Sequence, residues 1–171
     1  MGRGLAAALC LAALAALLAA AAYGAPKPRL YVAHVELTGK AEKPRGQPGG
    51  TGSVSICIDP ATSSISFGFD ALFLPEAPTA GHIHRGAPGV AGPVVFPFEK
   101  PGPIDINVGD VQWLGTAKAG KTAIAGLIAS PTKYYVNVHT KKFPGGAVRG
   151  QLGPWKRLTA DDPAAAACGA P

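Results

Sequence analysis

Two neighbouring runs, Gly52–Asp59 (GSVSICID) and Ser64–Asp70 (SISFGFD), alternate apolar and polar residues. In the first, Val54, Ile56 and Ile58 fall on one side, and Ser53, Ser55 and Cys57 on the other. In the second, Ile65, Phe67 and Phe69 oppose Ser64, Ser66 and Gly68. Successive side chains of an extended backbone point to opposite faces, so this period fits a strand with one buried face. The linking stretch DPATS is a turn: Pro60 pre-sets a turn dihedral, and Asp59 can bond the backbone beyond it. Two such runs joined this way predict an antiparallel hairpin in a sheet with one solvated face.

The same pattern extends along the chain. LYVAHVELT, GHIHRG, VVFPF, IDIN, KYYVNVHT and AVRGQLG are further strand candidates. Pro97 in VVFPF suits an edge strand or a strand end, because proline has no N–H for a ladder. Lys40–Gly50 is rich in Pro, Gly and charge and reads as a loop, and LFLPEAPTA as a prolyl connection. KTAIAGLIAS differs: Ile124, Leu127 and Ile128 fall at helical spacing, which predicts one short helix ended by Pro131. Seven or eight short strands predict an all-β fold, a β-sandwich or Greek-key barrel with one short helix. The tail after Gly153 is expected to be mobile or loosely docked.

Before the first strand, Arg3 precedes an uninterrupted apolar run, Leu5–Ala22, followed by small residues. This is the layout of a secretory signal peptide, residues 1–25, cut between Ala22 and Ala25. An uncleaved membrane anchor is the alternative. The expected domain is then 30–153 with a tail 154–171, in a secreted or extracellular protein, free of the membrane once cleaved. The 16 Lys and Arg against 10 Asp and Glu give +6, and loss of Arg3 lowers it by one, to +5. That charge is diffuse and has no interleaved aromatics, so nucleic acid is not an expected partner. Cys10 leaves with the leader, and Cys57 and Cys168 remain as an even pair in an oxidising compartment. A Cys57–Cys168 disulfide is the expectation; free thiols or pairing with another chain are the alternatives.

The histidines carry the candidate chemistry. His82 and His84 are two residues apart and share a strand face, while Ile83 points to the core. His139 lies opposite Val136 and Val138, and Arg149 opposite Val148 and Leu152. Three imidazoles and a guanidinium therefore sit on non-core faces. Imidazole suits Zn, Cu, Fe and Ni, so His82, His84 and His139 are candidate metal ligands. The alternative is a polar outer face whose histidines bond backbone and water. His34 shares its parity with Leu30 and Val32 and reads as a half-buried structural histidine, or a fourth ligand. Metal-free catalysis has no support: a Gly-x-Ser-x-Gly elbow, a paired set of carboxylates and a phosphate-binding glycine loop are all missing.

AHVELTG, GSVSICID–SISFGFD, AGHIHRGAPGVAGPVV and YYVNVHTKKFPGGAVRGQLG, in this order, resemble the chordin-type domain, CHRD, over about residues 30–153. Ala147 departs from the acidic residue common there, and Gly81 from an alanine before the first histidine. The resemblance implies an immunoglobulin-like β-barrel related to Cu/Zn superoxide dismutase. In chordin such domains belong to an extracellular antagonist of growth factors. It therefore implies a non-catalytic extracellular binding or structural module, without cofactor, whose partner is a protein or matrix ligand. The dismutase likeness implies an alternative: copper on His82, His84 and His139, with Arg149 guiding an anion. No histidine lies between His84 and His139, so the bridging histidine and zinc loop of the dismutase are missing.

Overall fold

A computed structural model describes residues 29–98, 113–159 and 162–168. The expected leader, 1–25, and the strand candidate IDIN, 104–107, lie outside the described residues. The strands are β1 (Leu30–Thr38), β2 (Thr51–Asp59), β3 (Ser64–Phe73), β4 (Pro78–Arg85) and β5 (Val94–Pro97). They continue with β6 (Leu114–Lys118), β7 (Tyr134–Thr140), β8 (Val148–Gln151) and β9 (Lys156–Leu158). One helix, α1 (Lys121–Ala129), lies between β6 and β7. The strands form one antiparallel sheet in the order β5-β4-β7-β8-β1-β2-β3-β6, and β9 pairs with the start of β1.

The β2–β3 hairpin has the register that alternation predicts: Val54 faces Phe69, Ile56 faces Phe67, and Ile58 faces Ile65. All six are buried, each contributing roughly 1.5–3 kcal/mol of apolar transfer. Asp59 caps the turn through its carboxylate, which accepts from Ala61 N at 2.9 Å. Phe67 lies on β3 and Phe98 directly follows β5, at the far end of the strand order, yet their ring centroids are 4.4 Å apart. Trp113, just before the neighbouring β6, stacks on Phe69 at 4.4 Å and lies against Gly81 of the distant β4. The sheet therefore curls around its apolar face like a half-barrel, as the all-β expectation requires.

The helix buries Ile124 and Leu127 against this core. Its carbonyl at Leu127 accepts the Trp155 indole N–H at 2.9 Å, which satisfies one of the acceptors that a helix end leaves free. Pro97 ends β5, which pairs on the path only with β4. The stretch LFLPEAPTA is less of a connection than expected, because β3 runs on to Phe73 and β4 starts at Pro78.

The tail is docked, contrary to expectation. β9 pairs with β1, a 3-10 turn follows at Pro163–Cys168, and a disulfide joins Cys57 to Cys168 with a Cα–Cα distance of 5.5 Å. Leu30, Cys57, Leu158 and Ala165 form a small second core beneath it. Cys57 thus points away from the main core and is still buried.

Candidate metal centre

The three histidines converge. His82 and His84 lie on β4, and His139 lies on the adjacent β7, where Ala80 is its cross-strand partner. On its other side β4 pairs with β5, with a bulge between Ile83 and His84. One nitrogen from each ring lies within 4.8 Å of the others. His82 Nδ1 and His139 Nε2 are 2.9 Å apart. Two nitrogens about 2.0–2.1 Å from one ion lie about 2.9 Å apart at right angles and about 4 Å apart when opposite. The closest pair already fits, and the widest closes by about 1 Å.

Backbone carbonyls orient two of the rings. His84 Nδ1 donates to Gly92 O at 2.8 Å, and His139 Nδ1 donates to Pro144 O at 2.9 Å. Each carbonyl fixes the tautomer and leaves Nε2 as the ligand atom, the usual supporting arrangement of metal-bound imidazole. His84 Nε2 is buried without a hydrogen-bond partner among the described residues. Such an atom is costly to bury, and a metal ion would satisfy it.

Burial, together with repulsion from His139 and His84, lowers the His82 pKa to about 4. Burial also lowers that of His139, against the Pro144 carbonyl, which raises it. Neutral imidazole is the form that binds metal. In the metal-free protein, an NMR titration of the His82 ring should keep its neutral spectrum at pH 6 and give a midpoint near 4. The unfolded ring titrates near 6.5. Below that pH the unfolded chain therefore binds a proton that the folded His82 does not, so this ring's contribution to stability falls as pH drops from about 6.5 to 4. A midpoint at 6 or above would contradict the burial argument.

The remaining candidates are placed elsewhere. His34 is exposed rather than half-buried; it meets Glu36 at 3.0 Å and Asp70 at 3.3 Å, outside the cluster. Arg149 lies on the expected face but is only 2 % exposed. It donates to Val90 O at 3.0 Å and Ala87 O at 2.9 Å, and its guanidinium carbon lies 3.3 Å from the Tyr135 ring centroid. Its charge is spent on the loop 86–93, which differs from the exposed position that guiding an anion needs. His84 stacks on Tyr135 at 4.8 Å, nearly parallel. β4 and β8 flank β7, so Tyr135 separates His84 from Arg149.

Sequence reasoning missed Tyr135, Asn137 and Glu42. The first two share the parity of His139, which is the signal that would have found them. Glu42 follows a 3-10 turn at Gly39–Ala41 and is buried. Burial raises its pKa, against the Lys43 N–H, Arg149, Asn137 and His84, which favour the carboxylate. Gly146, with φ +136°, leaves room for it: a side chain there would collide with the Glu42 carboxylate.

A curled antiparallel sheet, a disulfide and a cluster of three converging imidazoles define a disulfide-linked all-β module. The CHRD domain family model matches residues 33–152, and the chain belongs to that family of extracellular-type modules. Comparison with curated proteins and with solved structures returned no match.

Proposed function

We propose that this is a secreted, non-catalytic CHRD module that holds one copper ion on His82, His84 and His139. One observation carries the reading: the buried His84 Nε2 lacks a partner among the described residues, and the His84 ring offers a nitrogen within 4.8 Å of nitrogens of His82 and His139. A neutral, nitrogen-rich set suits Cu(II), which also heads the affinity order of divalent ions at such sites. The family and the disulfide support an extracellular setting. Non-catalytic binding is supported by Arg149, whose buried guanidinium is committed to loop carbonyls.

Copper titration of the purified chain against a competing chelator tests this. One Cu(II) per chain is expected. A His82→Ala/His139→Ala double variant should bind at least about 100-fold more weakly, since loss of ligands or their supports typically costs 10–100-fold each. Superoxide consumption by the loaded protein should not exceed that of the same amount of free copper. Wild-type protein that takes up no copper above background would sink the metal reading, and rapid turnover the non-catalytic one.

A further inference from the structure

Two carbonyls decide where the protons of the cluster sit. A carbonyl only accepts, so the Gly92 and Pro144 contacts put a hydrogen on Nδ1 of His84 and of His139. Both Nε2 atoms then present lone pairs. His139 Nε2 lies 3.1 Å from Asn137 Oδ1. Which end of the Asn137 amide faces His139 follows from its other neighbour. Asn137 acts on the Glu42 carboxylate as a hydrogen-bond donor does, although the contact falls short of full hydrogen-bond geometry. A carboxylate only accepts, so the amide NH2 turns toward Glu42 and Oδ1 turns toward His139.

Two acceptor atoms therefore face each other at 3.1 Å with no N–H between them. The His82 ring is the donor left for this pair: its Nδ1 lies 2.9 Å from His139 Nε2 and it also hydrogen-bonds Asn137, so one N–H is shared between two acceptors. Asn137 is 2 % exposed, so water offers little relief. Opposed acceptors in a buried site are unfavourable, and a cation placed between them reverses the sign. The 3.1 Å separation is also close to the roughly 2.9 Å of two ligands at right angles on one ion.

We propose that Asn137 Oδ1 is a fourth ligand of the metal held by His82, His84 and His139, with Glu42 as the positioning residue that turns the amide. The inference rests on the metal reading above. It makes the donor set three nitrogens and one oxygen, the mixed N,O set that tetragonal Cu(II) favours. Glu42 adds a carboxylate next to the amide. Its Oε1 accepts the Lys43 N–H at 3.0 Å, and its Oε2 is buried without a hydrogen bond among the described residues.

The test is Cu(II) competition titration with electron paramagnetic resonance on the full chain, disulfide intact, alongside Asn137→Ala, Asn137→Asp and Glu42→Gln. Asn137→Ala should bind copper about 10-fold or more weakly and show a changed copper hyperfine splitting. Asn137→Asp, isosteric and able to supply an anionic oxygen, should bind one copper at least as tightly as wild type, with a shifted spectrum. Glu42→Gln should weaken binding about 10-fold, through loss of the fixed amide orientation. An Asn137→Ala protein with wild-type affinity and spectrum overturns the fourth ligand and leaves the histidine site standing. An Asn137→Asp spectrum identical to wild type overturns it equally, even if the alanine variant does not fold. Wild-type protein that binds no copper overturns both readings. Glu42→Gln behaving as wild type removes the positioning role.

Discussion

Cys57→Ala/Cys168→Ala protein should lose about 4–5 kcal/mol of unfolding free energy relative to the oxidised wild type. The bond closes a loop with a sequence separation of 111. In the chain-entropy account, a loop of about 100 residues gives about 4.7 kcal/mol by restricting the unfolded chain. The native side adds a second reason. The disulfide holds the 3-10 turn at Pro163–Cys168, with its Ala165, against Leu30 and Leu158, a cluster too small to dock a tail by itself. For a domain of this size the loss corresponds to a melting temperature lower by about 10–20 °C. Denaturant unfolding of oxidised and variant protein measures it, and mass spectrometry confirms the bond as two missing hydrogens. Copper affinity should be unchanged, because Cys57 is on β2 and the histidines are on β4 and β7, which are not neighbours in the sheet. A stability change under about 1 kcal/mol would show that the tail is not restrained in the way described.

What the sequence made legible follows from where burial has two distinct faces. β2 and β3 have one face in the core and the other facing out, so their period-two pattern was plain. β6 and β9 were missed because LGTAK and KRL place little in the core and belong to the sheet mainly through backbone pairing. The same parity rule found the faces of His82, His84, His139 and Arg149. It could not say that this outer face is covered. The loop 86–93 closes over it, with Ala87 and Val90 carbonyls on Arg149 and the Gly92 carbonyl on His84. His34 fails for the opposite reason. It shares a face with Leu30 and Val32, but the docked tail covers Leu30 and Val32 and leaves His34 exposed. Glu42 was out of reach, since it sits beyond a 3-10 turn in a Pro- and Gly-rich loop where no periodicity marks burial.

Arg149→Ala is expected to cost about 3–5 kcal/mol, the range for removing one charge from a buried polar network. Four contacts go together: the bonds to Val90 O and Ala87 O, the contact with Gln151 Oε1 at 3.5 Å, and the stacking on Tyr135. The loop carbonyls and Glu42 would remain, without the guanidinium that offsets them. Arg149→Lys separates charge from shape. Lysine restores the positive charge, but it lacks the planar fork that reaches two carbonyls and the flat face that stacks on a ring. The lysine variant should therefore recover less than half of the loss. The effect also reaches the cluster. Gly92 anchors His84 through its carbonyl and donates its own N–H to the Tyr135 hydroxyl at 3.2 Å. A released loop frees the His84 ring, so copper affinity should fall, and amide exchange at Gly92 should quicken before global unfolding. An anion-guiding arginine would give the reverse pattern: near-normal stability in both variants and an intact loop. Unfolding curves with hydrogen exchange on the two variants decide between them, because only a buried clamp makes lysine a poor substitute.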